Sequence, residues 1–264
     1  MSSETQPSLL YLWDKRTIYL GPMFEPVQLS VGAATLIISL NGPISFTIKG
    51  LGEVIECRSL LLPAGMSVKV DTQNSTIVNV SLDALGNDFH VLSKRMQHQH
   101  GKAAYGLIEE DTFIKGFIEL QVSTINLTMN STQAYIYTDK LLDCNDDSYT
   151  IDKRVVHVVE HIKKNVDDNL SVEDLANSVN LSVPRLVQLF KQQTGVPMRR
   201  YRLWHRLFVT AVKMGQGLSL TEAALSAGFT DSSHFSHTFR GMIGMTPSSI
   251  FSQPNPLKII VNDD

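Results

Sequence analysis

The sequence predicts an α+β protein with a strand-rich N-terminal part and an all-α C-terminal part. Three observations carry this. Up to about residue 85, short runs rich in Val, Ile, Thr and Phe are cut by turn residues at roughly eight- to twelve-residue spacing. Beyond Gly86 apolar residues recur at three- and four-residue intervals, the helical period. Between residues 170 and 247 one structural unit is written twice.

Composition removes several function classes first. The chain has 264 residues, 43% apolar and 19% charged, which suits a globular protein of one or two domains. No run of eighteen apolar residues occurs, and "MSSETQPSLLYLWDK" lacks a basic stretch followed by an apolar one. Neither a membrane span nor a secretory signal is therefore expected, and the expected location is cytoplasmic. Cys57 and Cys144 stand 87 positions apart with no CxxC pairing, so they read as two free thiols rather than a zinc or iron-sulfur framework. The net charge of -3 hides an asymmetry: residues 1 to 149 sum to -6, whereas 150 to 253 sum to +4. Two domains with different partners follow, the second of a sign that suits nucleic acid.

The elements follow in order. "TIYLGP", "VQLSVG", "TLIISLNGP", "ISFTIKGLG", "EVIECRSLLLPAG", "SVKVDTQN" and "STIVNVSLD" read as strands of a small sandwich or barrel occupying residues 1–86. Residues 87–145 read as helical, with Phe113, Phe117 and Leu120 on one stripe. Hydrophilic residues 146–151 read as a linker, and 152–253 as the all-α domain.

In the repeat, "LSVEDLANSVNLSVPRLVQLFKQQTGVP" aligns with "LSLTEAALSAGFTDSSHFSHTFRGMIGMTP". Ser171 with Asp174, and Ser219 with Glu222, have capping-box spacing and start a short helix in each copy. Ala176 and Ala224 supply a small residue where two helices cross. Four positions later Asn180 and Gly228 can take the left-handed backbone that ends a helix in a tight turn. Ser182 and Asp231 then cap a second helix. Helix, tight turn and helix with a small crossing residue is the helix-turn-helix, whose second helix enters the DNA major groove. The two motifs span 171–195 and 219–244. The connecting "PMRRYRLWHRLFVTAVKMGQG" carries Tyr201, Trp204, Leu207, Phe208, Ala211 and Val212 on one stripe. A helix of about 18 residues there spans roughly 27 Å. Successive major-groove faces are about 34 Å apart, so one chain can present two reading helices to adjacent grooves.

The stretch "SSHFSH" (232–237) invites two chemical readings, and both fail. A metal at His234 and His237 lacks further ligands, because Asp231 is used as a cap and no Cys is near. Catalysis by Ser232, Ser233 or Ser236 lacks the strand-turn-helix elbow and an oxyanion glycine pair. The strand-rich half shows no carboxylate pair, histidine cluster or phosphate loop, so no enzyme activity and no cofactor are expected.

From about Ile151 to Phe251 the chain resembles the tandem helix-turn-helix domain of the AraC/XylS family of bacterial transcription regulators. "AGFTDSSHFSHTFR" and "GMTP" are its most diagnostic stretches. The resemblance implies a cupin-like β-barrel at the N-terminus, dimerisation helices after it, and an effector pocket in the barrel. Metal-binding cupins need barrel histidines, and residues 1 to 89 have none, so a metal-free barrel is expected.

Helical geometry sorts the reading faces. With Leu186, Leu189 and Phe190 inward, Pro184, Val187, Gln188 and Lys191 turn outward and Arg185 lies at the flank. With Phe235, Phe239 and Met242 inward, Ser232, Ser233, Ser236, His237 and Arg240 turn outward. Gln188 suits adenine, Arg185 guanine or phosphate, and Val187 a thymine methyl. The resemblance implies base contacts from Pro184, Val187 and Gln188 and from Ser232, Ser233 and His237. Arg199, Arg200 and His234 are phosphate-contact candidates. The expected partners are double-stranded promoter DNA, a second copy of the chain, RNA polymerase and a small-molecule effector, but no membrane. The alternative reading is a regulatory adaptor that works through protein contacts with weak or no DNA binding.

Overall fold

The computed structural model of the chain describes residues 7–23, 26–144, 150–168, 170–243, 246–248 and 257–261. The chain runs through β1 (Leu9–Leu12), β2 (Arg16–Pro22), β3 (Val27–Ser30), β4 (Thr35–Ser39), β5 (Ile44–Ile48), β6 (Val54–Cys57), β7 (Ser59–Leu62), β8 (Ser67–Asp71) and β9 (Thr76–Leu82). Then come α1 (Asp88–Lys94), β10 (Met96–His100), β11 (Ala103–Leu107), α2 (Glu110–Ile125) and α3 (Ser131–Leu142). The helical half holds α4 (Lys153–Lys164), α5 (Val172–Ser178), α6 (Val183–Thr194), α7 (Met198–Gly215), α8 (Leu220–Ser226) and α9 (Ser232–Ile243). A last strand, β12 (Lys258–Val261), follows.

The strands form an eight-stranded sheet, ordered β10-β11-β7-β4-β9-β2-β1-β12, and a four-stranded sheet, ordered β3-β8-β5-β6. Together they make the cupin-like barrel of the N-terminal domain. Period-two alternation separates two cores. On β4, Leu36 and Ile38 face α2 and α3 with Phe113, Phe117 and Leu120, while Ile37 joins Leu29, Phe46 and Val70 between the sheets. Every residue of this central strand is buried, which explains its unbroken apolar run.

Polar ties fix the helices to the sheet. The Tyr11 hydroxyl donates to Thr124 Oγ1 at 2.7 Å, and Trp13 Nε1 donates to Ser131 Oγ at 3.1 Å. Arg16, 7% exposed, donates through Nε to Asp88 Oδ2 and through Nη1 to Asp139 Oδ1, both at 2.6 Å. One guanidinium thus joins β2 to α1 and α3.

The helical expectation for 87–145 needs correction between residues 96 and 107, where β10 and β11 form an antiparallel hairpin that pairs through β11 with β7. The hairpin also brings His98 and His100 into the barrel wall, so the barrel is not the histidine-free unit that ends at residue 86. The run 53–65, read as one segment, is two strands, β6 and β7, placed in different sheets. Of the expected linker 146–151, only residues 150 and 151 lie within the described part.

The helical half packs on the same face of the large sheet as the small sheet does. Trp204 lies against Gly32, Lys163 Nζ donates to Asp14 Oδ1 at 2.8 Å, and the Arg200 guanidinium donates to the carbonyl and hydroxyl oxygens of Ser30. β12 completes the seam. It runs parallel to β1, with Leu9 opposite Lys258 and Leu12 opposite Val261, while Ile259 and Val261 close on Gly215 at the end of α7.

Candidate nucleic-acid interface

Both helix pairs are built by the same local bonds. Ser171 Oγ accepts from the Asp174 amide at 2.9 Å, and Ser219 Oγ accepts from the Glu222 amide at 3.3 Å. Only the second is a complete capping box, because Glu222 returns to the Ser219 amide at 3.1 Å whereas Asp174 takes the Ser171 hydroxyl proton instead. The Ser219 hydroxyl, which donates to Glu222 Oε2 at 2.6 Å, and then the Ser219 amide hold the Glu222 carboxyl below its ordinary range. Each first helix ends on the same turn. Asn180 and Gly228 have φ of 53° and 84°, and the following amides of Leu181 and Phe229 donate to the carbonyls of Ala176 and Ala224 at 3.0 and 3.1 Å. The two alanines are buried at the crossing, as a small residue there requires. Gly228 has a second constraint, since a Cβ would sit 3.0 Å from the Val166 carbonyl oxygen.

The second helices begin differently. Asp231 Oδ1 accepts from the His234 amide at 2.7 Å, and that bond is the main cause holding its carboxyl below the ordinary value. Ser182 occupies the cap position of α6 but its side chain makes no cap bond, correcting the expectation of a side-chain cap. Pro184 near the start of that helix lacks only an amide proton that has no intrahelical partner.

Burial sorts α6 and α9 into two faces. Leu186, Leu189 and Phe190 are buried, as are Phe235, Phe239 and Met242. Pro184, Arg185, Val187, Gln188 and Lys191 are exposed on α6, and Ser232, Ser233, His237 and Arg240 on α9, with Ser236 half-buried. At the repeat offset Gln188 corresponds to His237 and Lys191 to Arg240, so each exposed face offers one hydrogen-bonding group and one cation in register. Arg185 Nη1 donates to Gln188 Oε1 at 3.3 Å, which ties two exposed polar side chains of α6 together.

The phosphate candidates divide. Arg199 is exposed beside α6, whereas Arg200 is spent on Ser30 in the seam, where burial lowers its pKa. His234 is half-buried, edge-on to Phe229 at 5.2 Å and beside the Thr230 hydroxyl at 3.2 Å, which is a packing role. Two further arginines of α7 hold the helical half together: Arg202 donates to the Leu170 carbonyl at 2.7 Å and Arg206 to that of Val166 at 3.1 Å. Sequence reasoning gave no role to Arg202. Its signal, a basic residue about one turn into a helix, is common to many solvated arginines.

A family model described as a helix-turn-helix domain matches residues 175–253. Among named relatives, "Transcriptional activator RhrA" of Rhizobium meliloti is 33% identical over 97 residues, 34% of this chain and 31% of that protein. "Msm operon regulatory protein" of Streptococcus mutans is 30% identical over 186 residues, 70% of this chain and 56% of that protein. The chain therefore spans between about a third and about half of the length of these relatives. In fold, it is similar to ToxT of Vibrio cholerae solved with an unsaturated fatty acid bound, with a TM-score of 0.57, 12% identity, and coverage of 96% of this chain and 99% of that one.

Proposed function

Because the chain belongs to the AraC/XylS family of bacterial transcription regulators, we propose that it binds promoter DNA sequence-specifically by laying α6 and α9 in two adjacent major-groove segments. The observation that carries the reading is the matched pair of exposed faces, Gln188 with Lys191 and His237 with Arg240, each backed by a buried stripe and preceded by a left-handed turn. Gln188 and His237 read base edges, Val187 and the serines provide close apolar and hydroxyl contacts, and Lys191, Arg199 and Arg240 neutralise phosphates. Among the described residues no helix is long and apolar enough to cross a membrane, which is consistent with a cytoplasmic site of action.

Two controls complete the reading. Residues 1 to about 85 receive a small-molecule effector, and the seam at Ser30, Gly32 and β12 carries its effect to α7 and α9. Dimerisation uses α2 and α3, where Ile118, Val122 and Ile136 are 41 to 48% exposed on otherwise polar faces. From the bound promoter the protein contacts RNA polymerase.

Salt-titrated binding of the chain to promoter fragments tests this. Phosphate neutralisation produces a steep linear fall of log affinity with log salt. Absence of both binding and salt slope would favour the adaptor that acts through protein contacts.

A further inference from the structure

We propose that the cavity between the large sheet and the helical half is a binding site for an uncharged, single-ring molecule carrying one hydroxyl or carbonyl group. The proposal deepens the effector reading above by naming the ligand class and its place.

The cavity has a volume of about 130 Å3. An engineered apolar cavity of about 150 Å3 holds benzene, so the occupant is one ring or its equivalent. One wall is the sheet face turned away from α2 and α3, and the other is α7 with the last turns of α9: Trp204, Phe208, Phe239 and Met242. Rings on that wall suit edge and face contacts with an aromatic guest.

Chemistry narrows the class further. No residue lining the cavity is Lys, Arg, His, Asp or Glu. In the adjoining space, Lys163 is bound to Asp14 and Arg16 to Asp88 and Asp139, while Lys15 is exposed to solvent. A carboxylate or an amine in the cavity would be desolvated without a counter-charge, which is costly. The sheet wall is nevertheless not wholly apolar. Across β2, β9 and β4, Thr17 and Thr35 both stand opposite Ser81, and Tyr19 stands opposite Asn79. The Thr35 and Tyr19 hydroxyls are committed to the Ala33 and Pro22 carbonyls. Among the described residues, the Asn79 amide and Ser81 hydroxyl have no side-chain hydrogen bond. Both donate as well as accept, so they suit a neutral hydroxyl or carbonyl. Asn79 and Ser81, two apart on one face of β9 and with Thr17 opposite Ser81, set a placed polar handle into a wall whose other side chains include Leu10, Leu12 and Val31.

A guest there touches the sheet and α9 together. Its binding is therefore coupled to how α9 is seated, and by reciprocity DNA alters its affinity.

Calorimetry and thermal shift with the full chain, without DNA, test the site using benzyl alcohol, toluene, benzoate and octanoate. Benzyl alcohol should bind and raise Tm, toluene should bind more weakly, and the two carboxylates should bind about a hundredfold more weakly or not at all. Ala211→Phe fills the cavity and should weaken benzyl alcohol about tenfold or more. Asn79→Leu should abolish the preference for benzyl alcohol over toluene while toluene still binds. Benzoate or octanoate binding as tightly as benzyl alcohol, or benzyl alcohol binding undiminished in Ala211→Phe, would overturn the proposal. So would failure of both neutral probes on the wild-type chain. Because no DNA is present, failure of promoter binding leaves these outcomes unaffected.

Discussion

The Trp204 indole lies against Gly32 so closely that a Cβ on Gly32 would stand 2.8 Å from Trp204 Cε3 and 3.4 Å from Met242 Sδ. One backbone position of the barrel is thus the footing of both α7 and α9. Gly32→Ala forces that contact apart. Overpacking of a fitted contact costs about 1–3 kcal/mol, so Tm falls and the Trp204 emission shifts red as the ring is pushed toward water. Trp204→Leu in the Gly32→Ala background should recover most of the lost stability, and failure to do so would place the strain elsewhere.

Arg199 and Arg200 are neighbours with opposite fates. Arg199 is exposed, while Arg200 Nη2 is 2.8 Å from Ser30 Oγ. Arg199→Ala should weaken binding to all DNA sequences alike and reduce the salt slope by about 1. Arg200→Ala should leave the slope unchanged and lower the thermal stability of the whole chain. Equal slopes for the two variants would mean that Arg200 leaves Ser30 to meet a phosphate.

The contrast between these neighbours shows what was legible in the sequence. The caps at Ser171, Ser219 and Asp231, the left-handed turn residues and the buried stripes of α6 and α9 are encoded within a dozen residues, so reading them needs no knowledge of the rest of the chain. Arg200 reads in the sequence as a phosphate candidate like Arg199, because its partner Ser30 is 170 positions away. β10 was missed for a related reason: "MQHQH" has one apolar residue, and it becomes a strand because β11 pairs with it on one side and with β7 on the other. β12 is a four-residue run whose partner, β1, lies at the opposite end of the chain. The cavity was invisible because Asn79 and Ser81 acquire meaning only when α7 and α9 cover them.

His205 lies in α7 with its ring stacked on Phe208 at 6.0 Å and its Nε2 buried without a hydrogen bond. Burial, chiefly, with the Lys163 charge nearby, lowers its pKa below the ordinary value, against the smaller opposing effects of a hydrogen bond to the Lys163 backbone and of Asp14. The unfolded chain therefore binds the proton more readily than the folded one. Stability is complete above the ordinary imidazole value of about 6.5 and is lost as pH falls from there toward the folded-state pKa. Tm measured from neutral to mildly acid pH should fall less steeply for His205→Phe than for the wild type. Parallel curves would assign the acid sensitivity to another group.

The three serine caps form a graded series. Ser219 takes part in a complete capping box, Ser171 accepts one amide proton without the return bond, and the Ser182 side chain makes no cap bond. Ser219→Ala should cost about 1 kcal/mol of stability, within the usual range for a lost cap. Ser171→Ala should cost somewhat less, and Ser182→Ala close to nothing. Equilibrium urea unfolding of the three variants ranks them, and a large effect at Ser182 would contradict the cap geometry.

Base reading is the claim that most needs separation from general affinity. Gln188 and His237 occupy equivalent exposed positions on α6 and α9, with their neighbours Leu189 and Thr238 buried. Neither side chain supports the fold, so Gln188→Ala and His237→Ala should unfold at the wild-type temperature. Each should weaken binding to the cognate site by about 1–3 kcal/mol, the usual value of one good base contact. Affinity for random DNA should change little, because that term is set by phosphate contacts. Arg185 adds an internal control. It is hydrogen-bonded to Gln188, so Gln188→Ala frees its guanidinium, and the double variant Arg185→Ala with Gln188→Ala should lose less than the sum of the two single losses. Competition binding against cognate and random duplexes at fixed salt measures all three quantities. Equal losses on both duplexes for His237→Ala would show that this side chain meets the backbone rather than a base edge.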